Sequence, residues 1–174
     1  MIDLSQYIRE VPDFPTPGII YKDITPLLGD SAALASAVDR LTAFAEPLAI
    51  DYVVSAEARG FILGPALAAR IGAGFVPARK PGKLPSSTIS AEYVLEYGVD
   101  ALELHADALE TGARVLVHDD LLATGGTAAA LCELVAGLGG EVVACAFLIE
   151  LSFLGGRARF TGTPVHALVD YGDS

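Results

Sequence analysis

Apolar positions along the chain follow two periods. Compact apolar runs at Tyr52–Val54, Phe75–Ala78, Val115–Val117, Val142–Ile149 and Val165–Val169 read as buried strands. Between them, apolar residues recur three and four apart. Leu34, Val38, Leu41 and Phe44 predict a helix capped by Asp30 or Ser31 and ended near Pro47. Leu63, Leu67 and Ile71 predict a second helix, stopped by Gly72, with Pro65 in its first turn where a missing N–H does no harm. Leu131, Leu134, Val135 and Leu138 predict a third, over residues 125–138. The remaining stretches are short or punctuated. Leu4 to Arg9 predicts a short helix, and Pro12, Pro15, Pro17 and Gly18 force an extended, turning segment. Lys80 to Ser90, with Pro81, Gly82 and Pro85, predicts a long exposed loop. Thr88–Tyr97 and Ala101–His105 predict a hairpin around Gly98. Strands alternating with helices predict an α/β fold: a parallel β-sheet with helices on both faces, in a single domain over residues 1–174.

In such sheets ligands bind beyond the carboxyl ends of the strands. Three polar motifs follow predicted strands and would converge there: Glu57–Gly60, Arg79–Lys83 and Asp119–Thr127. The last is the most informative. In RVLVHDDLLATGGT, residues 114–127, a buried strand runs into two adjacent acids, a loop of small residues and then a helix. Gly125 and Gly126 let the backbone approach an anion, and the first amides of the helix carry partial positive charge. Thr124 and Thr127 add hydroxyl donors. Asp119 and Asp120 can accept hydrogen bonds from vicinal sugar hydroxyls. Together these parts suit a sugar phosphate. The loop lacks the lysine of a Walker motif and the G-x-G-x-x-G of a dinucleotide site.

Charge and composition narrow the classes. A net charge of −11 argues against nucleic acid or an anionic membrane as the main partner. Against that background Arg79, Lys80 and Lys83 form a basic cluster suited to a polyanion. No apolar run reaches the roughly 18 residues of a membrane span, and the acidic N-terminal segment does not read as a signal peptide. Cys132 and Cys145 lack metal-type spacing and read as reduced core residues of a cytosolic protein.

The stretch VLVHDDLLATGGT resembles the phosphoribosyl diphosphate (PRPP) motif of type I phosphoribosyltransferases. Five flanking segments occur in family order: VPDFPTPG at 11–18, YKDITPLL at 21–28, EARGF at 57–61, RKPGKLP at 79–85 and LEYG at 95–98. With them the resemblance, from about Val11 to Leu154, is to the adenine phosphoribosyltransferase family. It implies the type I fold with a flexible loop or hood. It implies transfer of phosphoribose from PRPP to adenine, giving AMP and diphosphate, with Mg²⁺ held mainly by the diphosphate. It also implies a cytoplasmic homodimer.

Carried over residue by residue, Ala123, Thr124, Gly125, Gly126 and Thr127 match the 5-phosphate loop. Asp119 and Asp120 match the ribose-binding acids, and Arg59 matches the arginine that meets diphosphate, beside a cis peptide at Glu57–Ala58. Arg79, Lys80 and Lys83 match the basic PRPP-contacting segment. Ile20, Tyr21, Lys22 and Leu121 match the adenine site. Glu96 matches the hood residue placed to manage a proton on adenine. Two positions depart from the family pattern. His118 stands where an apolar residue is common, and Lys22 stands where arginine, with its planar fork, is common. Two rival readings are a PRPP-sensing regulator, which would carry an added basic DNA-binding segment, and a transferase for another 6-substituted purine.

Overall fold

The computed structural model describes residues 2–95 and 98–172. The chain divides into two compact units, Met1–Arg40 and Leu41–Ser174. In the first, Asp3 caps a single 3-10 turn, Leu4–Tyr7, by accepting from the Ser5 amide at 3.1 Å. The helix expected to reach Arg9 stops there. Arg9–Pro12 is instead a strand (β1), paired antiparallel with Ile20–Asp23 (β2). A nucleus this short gains little as a helix, whereas pairing supplies ladder hydrogen bonds at once. The proline-rich segment is thus the loop of a hairpin, closed by Asp13 accepting from the Gly18 amide at 2.8 Å. A short helix, Thr25–Gly29 (α1), follows.

Helix α2, Ser31–Ala45, crosses the boundary between the units. Asp30 accepts from the Ala32 and Ala33 amides at 3.0 and 2.9 Å, the cap expected. Its buried positions are Ala33, Ala37, Val38, Leu41 and Ala45, while Leu34 and Phe44 are only partly covered. The face is turned toward the alanines, which allow closer backbone approach than the predicted stripe.

In the second unit the strands are β3 (Tyr52–Ala56), β4 (Gly74–Ala78), β5 (Thr88–Leu95), β6 (Gly98–His105), β7 (Arg114–Leu122), β8 (Glu141–Leu151) and β9 (Val165–Tyr171). Five form a parallel sheet in the order β4-β3-β7-β8-β9. Side chains alternate across it. Val54, Val76, Val117, Cys145 and Phe147 share one core cluster with Leu131, Leu134 and Val135 of helix α4 (Gly126–Gly137). Ser55 points to the opposite face, where Gly64 of helix α3 (Gly60–Ile71) lies so close that a Cβ would stand 2.5 Å from the Ser55 hydroxyl. Helices therefore cover both faces.

Pro65 sits inside α3, in the second turn rather than the first. The β5–β6 hairpin is antiparallel, and its stem residues Ala91, Tyr93, Leu102 and Leu104 belong to the same core cluster as α4. Cys132 and Cys145 are free thiols, 3.9 Å apart.

From β3 the chain crosses to β4 on one side. From β7 it runs to β8 and β9 on the other. The strand order reverses between β3 and β7, so their carboxyl ends flank a natural crevice.

Candidate active site

A cavity of about 360 Å³ opens at that crevice. It is lined by Glu57–Arg59 after β3, by Tyr93 of the hairpin, and by residues 119–128 at the end of β7 and the start of α4. Two of the three predicted motifs thus meet around one space.

The acids lie inside β7, which continues to Leu122, rather than after it. Asp120 is buried and takes both Nε and Nη2 of Arg59. Asp119 accepts from the Asp120 amide at 2.9 Å. Burial, then the neighbouring Asp120 charge, push the Asp119 carboxyl well above its ordinary 3.8.

Beyond the acids the loop turns at Gly125, whose φ of +80° a side chain disfavours, and α4 begins at Gly126. The cavity therefore faces the N-terminal amides of a twelve-residue helix. Across it, the Glu57–Ala58 peptide is cis, as the resemblance implied. Next to it, Gly60 leaves room for the acids: a Cβ there would stand 3.0 Å from Asp119 Oδ1.

The basic cluster is arranged differently. Arg79 Nε donates to Glu57 Oε1 at 3.3 Å, and the Lys80 amide donates to the same oxygen at 2.6 Å. That amide bond is the main reason the Glu57 carboxyl titrates below its ordinary range. Lys80 Nζ donates to Tyr93 Oη at 2.9 Å and pairs with Asp100. Lys83 is exposed, and its carbonyl accepts from Arg79 Nη1 at 3.4 Å. None of these three residues lines the cavity, although Lys80 is one hydrogen bond from its wall through Tyr93.

Of the positions assigned to adenine, Leu121 lines the cavity. Ile20, Tyr21 and Lys22 lie on β2 in the first unit. Ile20 is exposed, Tyr21 meets the Phe14 ring edge-on at 5.1 Å, and Lys22 is buried and paired with Glu10. Glu96 falls outside the described residues.

The Phosphoribosyl transferase domain family matches residues 21–158. The chain belongs to this family. An adenine phosphoribosyltransferase of Thermotoga neapolitana is 56% identical over 170 residues, 98% of this chain and 100% of the relative. The crystal structure of the adenine phosphoribosyltransferase of Thermoanaerobacter pseudethanolicus matches with a TM-score of 0.94 at 50% identity, covering 97% of this chain and 98% of that one. That of the Saccharomyces cerevisiae enzyme, complexed with an imino-altritol bisphosphate and adenine, matches with a TM-score of 0.91 at 39% identity, covering 95% and 96%.

His118 of this phosphoribosyltransferase is fully buried on β7. Its Nδ1 lies 2.9 Å from the Ala146 carbonyl, which can only accept, so the proton sits on Nδ1. Burial lowers its pKa to about 4. It is a neutral structural side chain in the middle of β7, not at the strand end as expected. Two parts of the candidate site carry almost no local signature in the sequence. Tyr93 reaches the cavity only because the hairpin folds back on α4. The turn at Gly155–Phe160 packs against the loop at residues 123–125: a Cβ on Gly156 would stand 2.1 Å from the Ala123 carbonyl oxygen. The only available signal was the Gly155-Gly156 pair after the apolar run of β8.

Proposed function

We propose that this phosphoribosyltransferase transfers the phosphoribosyl group of PRPP to adenine, giving AMP and diphosphate. One observation carries the reading. A single cavity is bounded by a glycine loop at a helix N-terminus, by the Asp119–Asp120 pair and by the Arg59 loop. The three suit the three polar parts of PRPP: the 5-phosphate, the 2- and 3-hydroxyls and the diphosphate.

The reaction breaks the bond between the anomeric carbon and the diphosphate oxygen, which keeps the electron pair. The sugar carries positive charge as this bond lengthens. N9 of adenine supplies the new bond and loses its proton. The protein's part is positioning and electrostatics. Residues Ala123–Thr127 hold the 5-phosphate, and Asp119 and Asp120 hold the hydroxyls. Arg59 stands between Asp120 and the departing diphosphate, with Arg79, Lys80 and Lys83 adding positive charge on that side. Ile20, Tyr21, Lys22 and Leu121 receive adenine, and Glu96 manages the proton. Because Lys22 is tied to Glu10, its contribution is to fix the β2 backbone beside Tyr21.

Among the described residues no group of three or more His, Cys, Asp or Glu side chains converges to hold a metal. Mg²⁺ would then enter carried by PRPP, with Asp119 and Asp120 the carboxylates that would hold it in the site. When bound, such an ion would supply charge neutralisation of the departing diphosphate. The enzyme acts as a cytoplasmic homodimer. Among the described residues no helix is long and apolar enough to cross a membrane.

The test is incubation with Mg²⁺–PRPP and each nucleobase in turn, with chromatographic detection of nucleotide. AMP from adenine is the expected product. No nucleotide from adenine, or faster transfer to hypoxanthine or guanine, would refute the reading.

A further inference from the structure

The phosphate loop is braced from its outer side by the turn Gly155–Phe160. Arg159 Nε donates to the Thr124 carbonyl at 2.7 Å. A Cβ on Gly125 would stand 2.8 Å from the Gly156 carbonyl oxygen and 3.1 Å from Arg159 Cδ. The turn is itself fastened to the sheet. Arg157 Nε donates to buried Glu150 at 3.0 Å, Arg157 Nη1 donates to the Val165 carbonyl at 2.6 Å, and Phe160 sits in the core cluster.

Thr124 and Gly125 line the cavity, whereas Arg159 and Gly156 do not. The loop therefore has the cavity on one side and the guanidinium on the other. A trans peptide points its C=O and N–H in opposite directions. The Thr124 carbonyl is taken by Arg159. The N–H of the same peptide, which belongs to Gly125, consequently points away from Arg159.

We infer that Arg159 is a positioning residue for the 5-phosphate: it holds the Thr124–Gly125 peptide so that the Gly125 amide faces the phosphate. This rests on the function proposed above. A charged donor on the carbonyl also polarises the peptide and makes its N–H a stronger donor. The guanidinium charge behind the loop adds attraction for the phosphate dianion.

A mere structural brace would weaken every ligand together, or melt the protein. Positioning weakens only ligands that carry the 5-phosphate. The experiment is calorimetric titration of wild type, Arg159→Met and Arg159→Lys with AMP, ribose 5-phosphate, adenine and Mg²⁺–diphosphate, alongside thermal melts. For Arg159→Met we expect AMP and ribose 5-phosphate to bind roughly tenfold to a hundredfold more weakly, the loss of one charge-assisted hydrogen bond. Adenine and diphosphate should stay within about twofold. KM for PRPP should rise by more than kcat falls. Arg159→Lys should recover part of the loss, since its ammonium keeps both a donor and the charge. Should the methionine variant not fold, Arg159→Gln, a neutral donor, gives the same comparison of ligands. AMP and ribose 5-phosphate affinities within twofold of wild type, or equal weakening of all four ligands, would overturn the inference. Wild-type protein that binds none of the four would instead refute the proposed function.

Discussion

Replacing His118 by leucine should flatten the acid limb of the stability curve. The imidazole has no exposed surface, donates Nδ1–H to Ala146, and has no hydrogen-bond partner for Nε2 among the described residues. Protonating Nε2 would place a bare charge in the sheet, so burial lowers the pKa from 6.5 to about 4. The unfolded chain takes up a proton near 6.5, and the folded chain does not until about pH 4. The folded state therefore binds fewer protons in this window. The stability linked to His118 is complete above 6.5 and is lost progressively as pH falls toward 4. A fall of about 2.5 pH units at 1.36 kcal/mol each gives a loss of about 3 kcal/mol. Leucine cannot titrate, so the variant should lack this loss, whatever its absolute stability at neutral pH. Urea unfolding of both proteins between about pH 7 and pH 4 measures the difference in slope. Parallel curves would refute the reasoning, as would an imidazole resonance titrating near its ordinary value. The same pair of proteins tests for a catalytic role, because a buried neutral brace predicts an unchanged pH optimum for AMP formation.

Asp119→Asn should melt no earlier than wild type at neutral pH, yet raise KM for PRPP at least tenfold. The raised Asp119 pKa means that wild type loses stability as pH rises from 3.8 through the shifted value, and asparagine removes that loss while replacing one charged acceptor oxygen by an NH2 donor that cannot receive a ribose hydroxyl; parallel melts and PRPP kinetics check both halves. Gly156→Ala places a methyl 2.1 Å from the Ala123 carbonyl oxygen, so the phosphate loop must move by about 1 Å, enough to cost about a hundredfold in kcat/KM. An activity within twofold of wild type would mean that the loop yields freely. Tyr21→Ala should raise KM for adenine far more than KM for PRPP in steady-state assays with each substrate varied, and the opposite order would move the base site away from β2.

From the amino-acid sequence alone follow the alternation of strands and helices after Ser31 and the parallel sheet, and from residues 119–127 a candidate anion loop. These rest on local physics. Strand runs such as Val115–Val117 are legible because burial on both faces demands continuous apolar residues, and Asp119–Thr127 because glycines, hydroxyls and acids at a strand end suit few other tasks. Where local preference is weak, tertiary context wins. Arg9 joined a hairpin, the α2 face turned toward its alanines, and Pro65 was tolerated within α3. The roles of particular side chains needed the fold. Arg59 meets Asp120 across 61 positions of sequence, Lys80 meets Asp100 across a hairpin, and Arg159 reaches Thr124 from 35 positions away. No period or spacing encodes such pairs. The first exists because β3 and β7 are neighbours in the sheet, the second because Arg79 bridges to Glu103 of β6, and the third because the turn after β8 folds back onto the loop after β7. Which charges are neutralised in place, which residues line the cavity, and that Arg159 reaches the Thr124 carbonyl are therefore set by the packing of elements distant in sequence.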